Sequence, residues 1–251
     1  MDRLGYAAAS GMRAAMARQT AVANNLANVN TVGFRGDLSS ARSLFIRSAG
    51  VGVPGVATRA MVSEEVLSAD MAPGAFNHTG RGMDIALQGD ALLSVQAANG
   101  DEAYTRRGDL KINDSGLITT GEGTPVLGDG GPITLPPHDD VAIDHDGTIR
   151  IVPAGAPRSQ MVVVDRLKLV SPAGSQTVKG IDGLFRVRDG GALPADPLAR
   201  LESETLEGSN VNASTALIQM IETSRSWDNQ VKMLASAKEI DTDASKLMSI
   251  D

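Results

Sequence analysis

Apolar residues recur at alternating steps of four and three along the start of the chain. Ala8, Met12, Ala15, Gln19, Val22, Leu26 and Val29 mark the row, and Leu4 extends it one step back. This spacing predicts one helix with a heptad-like seam. The far end repeats the pattern through Ala213, Leu217, Met220, Ser224, Trp227, Val231 and Leu234. The stripe then shifts to Ala237, Ile240, Ala244 and Leu247, a local change of register. Asn212 stands where an N-cap is needed, with an amide oxygen to accept from the first turn. Neither helix is expected to be stable alone. Each large seam residue contributes about 1.5–3 kcal/mol if fully buried, against roughly 1–2 kcal/mol of backbone entropy for every residue ordered. The seams therefore need partners, either each other or other subunits.

The middle changes period. From about Asn77 to Val187, short β-like runs ("MDIALQG", "ALLSVQAANGDEAYTRRGDLKIND", "GLITT", "VAIDHDGTIRIV", "MVVVDRLKLV") alternate with turn signals. Asn99-Gly100 and Asp146-Gly147 supply the positive φ of tight hairpins. These runs predict one antiparallel β domain. Residues 35–75, with "GVGVPGV", read as an extended, partly polar connector. The expected fold is α+β: terminal helices forming a coiled-coil-like unit, an extended connector and a central, mainly β domain. The segments are an N-terminal helix at 1–33, a connector at 34–75, a β domain at 76–205 and a C-terminal helical segment at 206–251.

Composition narrows the function. The chain has 251 residues, 42% hydrophobic but only 3% aromatic, with 27 Gly and 11 Pro. Its core is expected to be thin and built from small aliphatics. A formal net charge of −7 argues against nucleic acid, whose phosphates need a basic surface. With no cysteine, disulfides, thiolate metal sites and cysteine catalysis are excluded. Asp2, Arg3, Arg13 and Arg18 interrupt the opening, so no signal-peptide core is expected, and no run reaches the roughly 18 apolar residues of a membrane span. Residues 1–32 carry one acid and three arginines, whereas 213–251 carry six acids and four bases. The two ends are thus weakly complementary.

Three stretches invite a chemical reading. Gly50, Gly52 and Gly55 match G-x-G-x-x-G, with Asp70 twenty residues beyond Gly50. Pro54 lies inside the match and no βαβ unit surrounds it, so it is read as connector. "HDDVAIDHDG" (138–147) resembles the start of a calcium loop, but Gly155 stands where the bidentate Glu is required. It is read as a hairpin with an Asp-Gly turn. "GDGGP" (128–132) lacks the Lys and Ser/Thr of a phosphate loop. No serine stands in a G-x-S-x-G elbow. No catalytic, cofactor-binding or metal-ligating residue is expected, and no cofactor.

The amide-rich stretch "ANNLANVNTVGF" (23–34) closes the first helix. Asn24, Asn25, Asn28 and Asn30 each carry donors and acceptors, suited to a fraying helix end or to a neighbouring subunit. Gly33 permits a turn and Phe34 anchors the connector. Together, "MDRLGYAAASGMRAAMARQTAVANNLANVNTVGFRGD" and "LEGSNVN" (206–212) resemble the paired terminal signatures of bacterial flagellar axial proteins of the rod and hook class. "MDIALQGDALLSVQ", "AYTRRGDLKINDSGLITTGEGTPVLGDGGPITLP" and "IDHDGTIRI" are similar to the β region of the rod members, proximal-rod proteins first and distal-rod proteins next.

The resemblance implies a structural subunit that transmits torque and encloses an export channel. Its partners would be copies of itself and other rod proteins in a helical tube, and the flagellar export apparatus during secretion. Its place would be the basal-body rod crossing the periplasm, reached without a cleaved signal and without stable membrane insertion. The subunit-interface residues it points to are Met12, Gln19, Val22, Asn24, Asn25, Leu26, Asn28, Val29, Gly33, Phe34, Gly208, Asn210, Asn212, Leu217, Met220, Trp227, Val231 and Leu234. The competing classes are an enzyme, which requires a pocket with convergent polar groups, and a soluble binding module with amphipathic terminal helices.

Overall fold

The computed structural model describes residues 2–47 and 58–248. Two compact units emerge, a helical one from residues up to 27, 37–68 and 212 onward, and a β unit from 28–36 and 69–211.

In the helical unit, α1 (Asp2–Ala27) and α2 (Ala213–Met248) pack against each other. The pair is antiparallel: a side chain at Gly11 would meet Gln230, while Arg18, Val22 and Asn25 line one groove with Gln219, Glu222 and Thr223. Asn212 caps α2 as expected. Its Oδ1 accepts from Thr215 N at 3.1 Å and its carbonyl accepts from Ala216 N at 2.9 Å. The 34–75 stretch is not bare connector. It holds β1 (Asp37–Arg47) and β2 (Thr58–Ala69), paired as a two-stranded sheet. The Gly50-Gly52-Gly55 match lies outside the described residues.

α1 keeps part of the expected seam, whereas on α2 the buried stripe is shifted by about one position. Among the described side chains of α1, Ala8, Ser10, Ala14, Ala15, Ala21 and Val22 are buried, so the seven-residue spacing holds at 8, 15 and 22. Met12 and Leu26 are half-buried and Gln19 is exposed. Among the described side chains of α2, Ala216 and Thr223 are buried, and Met220, Ser226, Trp227, Gln230 and Ala237 are half-buried. Leu217, Val231 and Leu234 are exposed. Small side chains such as Ala15, Ala216 and Thr223 take the most buried positions, while Leu217, Ile218 and Ile221 face away. The side chains of Leu4, Ala244 and Leu247 lie outside the described residues.

The β unit runs in chain order through β3 (Phe76–His78), β4 (Ile85–Leu87), β5 (Leu92–Gln96), β6 (Glu102–Thr105), β7 (Leu110–Ile112) and β8 (Ile118–Thr120). It continues with β9 (Leu127–Gly128), β10 (Gly131–Pro132), β11 (His138–Ile143), β12 (Thr148–Pro153), β13 (Val162–Arg166) and β14 (Leu169–Val170). The last strands are β15 (Thr177–Lys179), β16 (Phe185–Val187), β17 (Leu201–Ser203) and β18 (Thr205–Glu207). The strand pairs among the described residues of the unit are antiparallel. The largest sheet has the order β14-β5-β6-β16-β15, and a second runs β11-β12-β13.

Strand alternation sends Leu93 and Val95 into a core with Ile85, Leu87, Leu110, Ile118, Ile133, Ile149, Ile151 and Leu201. Leu92 points oppositely, into a smaller cluster with Tyr104, Val170, Phe185 and Leu193. Among the described residues the larger cluster holds no aromatic side chain, whereas Tyr104 and Phe185 stand in the smaller one. Gly100 (φ 88°) and Gly147 (φ 86°) hold the left-handed conformation at the two expected hairpin turns. Asp146 Oδ1 accepts from Thr148 N at 3.0 Å and Asp144 pairs with Arg150, so these two of the four carboxylates of the 138–147 stretch are engaged within their own hairpin. The β4–β17 and β3–β18 pairings bring in segments near residue 205 that carry no strong alternation. Only the fold reveals them.

Candidate functional site

The amides of the opening helix end are put to work locally. Asp37 N donates to Asn25 Oδ1 at 2.7 Å, and Asn25 Nδ2 donates to Asp37 O at 3.0 Å. One side chain thus completes both backbone groups of the first residue of β1. Asn24 Nδ2 donates to Asp37 Oδ2 at 2.6 Å. Asn28 Oδ1 accepts from the Thr31 hydroxyl at 3.0 Å, inside the turn closed by Thr31 N and Asn28 O. Asn30 is exposed, and Val29 is half-buried.

Beyond the turn the β unit takes over. Gly33 has φ 66°, and its N donates to Glu207 O at 2.7 Å. A Cβ there would lie 2.4 Å from the Arg106 carbonyl oxygen. Both conformation and space therefore demand glycine. Gly33→Ala should cost at least about 1–2 kcal/mol from its left-handed backbone alone, with the clash in addition. A chemical-denaturation midpoint of the β unit reads this directly; an unchanged midpoint would contradict the close approach. Phe34 is buried, with Lys179 Nζ 3.8 Å from its ring centroid. The same Nζ donates to Arg35 O at 2.7 Å.

At the centre of this region lies an ion cluster that sequence reasoning missed. Glu207, 1% exposed, stands between two buried arginines. Its Oε1 accepts from Arg35 Nη2 at 2.7 Å and from Gly74 N at 3.0 Å. Its Oε2 accepts from Arg106 Nη2 at 2.7 Å and Nε at 3.0 Å. Arg106 also donates to the carbonyls of Leu87 (2.6 Å), Gly89 (2.5 Å) and Ala91 (3.0 Å). Burial pulls its guanidinium below the ordinary arginine value, and the hydrogen bond to Glu207 opposes that shift. Three distant segments meet on one carboxylate. Each member sits inside a quoted motif ("GFRGD", "YTRRGD", "LEGSN"), but spacing alone does not pair them.

Asn210 completes the arrangement. Its N donates to Phe34 O at 3.3 Å, and its Oδ1 accepts from Gly36 N at 2.8 Å. Its Nδ2 donates to Asp70 O at 2.8 Å and to Ala72 O at 3.0 Å. Gly208 N donates to Ala75 O at 2.8 Å, and a Cβ at Gly74 would lie 2.1 Å from Gly208 O. The structure therefore brings Gly33, Phe34, Gly208 and Asn210 together in the β unit. It places Met12, Gln19, Val22, Asn24, Asn25 and Leu26 along α1. Leu217, Met220, Trp227, Val231 and Leu234 lie along α2.

Comparison with known proteins agrees with this layout. Residues 6–35 match the model of the flagella basal body rod protein family. Residues 86–151 match the flagellar hook protein FlgE/F/G D1 domain, and residues 202–247 the flagellar basal body rod FlgEFG protein C-terminal model. The chain is 38% identical to the flagellar basal-body rod protein FlgF of Escherichia coli and 39% to that of Salmonella typhimurium, in both cases over 256 aligned residues covering 100% of each chain. Flagellar basal-body rod protein FlgG of Bacillus subtilis is 28% identical over 94% of this chain and 95% of its own length. The chain belongs to the flagellar basal-body rod protein family. It is a structural rod subunit of the bacterial flagellum, which assembles with other rod proteins in the basal body, and not an enzyme.

Proposed function

We propose that this subunit occupies the proximal rod, with the α1–α2 pair forming part of the tube wall that encloses the export channel. Rotation of the tube passes torque from subunit to subunit through the same helices. One observation carries the reading. Leu217, Ile218 and Ile221 are 49%, 58% and 55% exposed, on one face of α2 and within about a turn of one another. A contiguous apolar face on a soluble chain marks an interaction surface, and neighbouring rod subunits supply the matching cover. The expected interface residues of α1 and α2 are assigned to that contact, Val22 and Trp227 also serving the contact within the subunit. The apolar face, the lack of cysteine and the mostly small side chains also suit export as an unfolded chain by the flagellar apparatus. No described helix is long and apolar enough to cross a membrane.

Since the chain has no cysteine, Ile221→Cys gives one reporter. Its thiol should react quickly with a maleimide in the purified monomer and be strongly protected in isolated basal bodies. Equal reactivity in both states would remove this face from the subunit contact.

A further inference from the structure

The chain passes between the two units at 27/28, 36/37, 68/69 and 211/212. Three of these four crossings lie within two residues of a group bonded to Asn210: Gly36, Asp70 and Asn210 itself. Asp70 N also donates to Gly36 O at 2.8 Å. Three residues upstream, Glu207 binds Gly74 N and Arg35 through one oxygen and Arg106 through the other. Every strand of backbone that leaves or enters here is thus tied sideways to the other two, inside the β unit. Only an amide side chain offers an acceptor and two donors at once. A carboxylate at 210 would keep the Gly36 bond but lose both donors, and an apolar residue would lose everything except its backbone bond.

We propose that Asn210 and Glu207 form a load-sharing clasp: tension arriving through any one of the three segments is spread over all of them before it reaches the β core. Asn210 is its hydrogen-bonded outer tie, and the buried Arg35–Glu207–Arg106 cluster is its inner anchor. The clasp exists independently of the torque role and rests on that reading only for its purpose.

The test separates load-bearing from general stability by changing the direction of pull. The full-length chain is stretched in an optical trap in two ways. In the first, force is applied at the two ends, so that it enters the β unit through 28–36 and 207–211. In the second, the handles are cysteines introduced at the exposed residues Asn99 and Ser159, whose load path avoids the clasp. Asn210→Ala should lower the rupture force of the β unit in the first geometry and leave it unchanged in the second. Hydrogen exchange at Gly36 should quicken by roughly tenfold, since one hydrogen bond of about 1–1.5 kcal/mol is lost. If Asn210→Ala does not fold, the two rupture forces of Asn210→Asp are compared instead, its two donors gone and its Gly36 bond, with Gly36 exchange, retained. Equal loss of force in both geometries, or no loss in either, would overturn the clasp. Because the isolated chain is pulled, failure here leaves the rod reading standing, and failure of the torque role leaves the clasp standing.

Discussion

Glu207→Ala is expected to destabilise the β unit by about 3–5 kcal/mol, the usual consequence of removing one partner from a buried ionic cluster. The size follows from what would be left behind. Arg35 and Arg106 are each about 1% exposed, and without the carboxylate two guanidiniums would face one another with no compensating charge. Arg35 already has Nε and Nη1 buried without a hydrogen-bond partner, so its bond to Glu207 is the main compensation for its desolvation. Glu207→Gln should be milder, because the amide oxygen still accepts one bond, yet well short of neutral. The control is Glu122→Ala. That glutamate pairs with Arg107 at a side-chain exposure of 62%, and its loss should cost under about 1 kcal/mol. Urea midpoints of the three variants decide the matter. A Glu207→Ala midpoint equal to the Glu122→Ala midpoint would mean that the cluster contributes nothing net.

Ile221→Asp should have the opposite profile, leaving the folded subunit nearly intact and stopping its incorporation into rods. At 55% exposure the side chain is half in water in the free subunit, where surface changes generally stay within about 0.5 kcal/mol. In a packed contact between subunits the new carboxylate would be desolvated without a partner, which costs several kcal/mol or forces its protonation. The loss recurs in every copy of the subunit. The thermal melt of the purified variant is compared with motility and with the rod content of isolated basal bodies. Wild-type swimming would place Ile221 outside the interface. A collapsed melt would show that α2 contributes this face to the subunit's own core.

The terminal helices, the β hairpins and the Asn212 cap were legible because each rests on local rules: a seven-residue repeat, an alternating run, a turn that needs positive φ, an amide one residue before a helix. The face of each helix was legible only in part. The repeat on α1 places Ala8, Ala15 and Val22 on its buried face, but on α2 it points to Leu217, Val231 and Leu234, which are exposed. In the subunit, small residues such as Ala216 and Thr223 take the helix–helix contact, because close approach favours small side chains over large ones. The β1–β2 pairing was hidden, since polar positions such as Ser39, Ser40, Glu64 and Glu65 break the apolar alternation. The Arg35–Glu207–Arg106 cluster lay furthest from view. Its members are separated by 101 and 172 positions along the chain, and no local pattern announces a pairing at that range. The resemblance points to Asn210 as an interface residue, and only the fold shows its side chain bonded to Gly36, Asp70 and Ala72 of its own chain.

A side-chain-resolution density map of isolated basal bodies decides whether the antiparallel α1–α2 pair lines a tube built with neighbouring rod subunits. The chain is expected to lie in the rod, with both terminal helices at the inner radius. Leu217, Ile218 and Ile221 should be covered by an adjacent subunit, and Asn210 should still be bound to Gly36, Asp70 and Ala72. A map in which the helices sit at the outer surface, or in which that apolar face stays open to solvent, would contradict this arrangement.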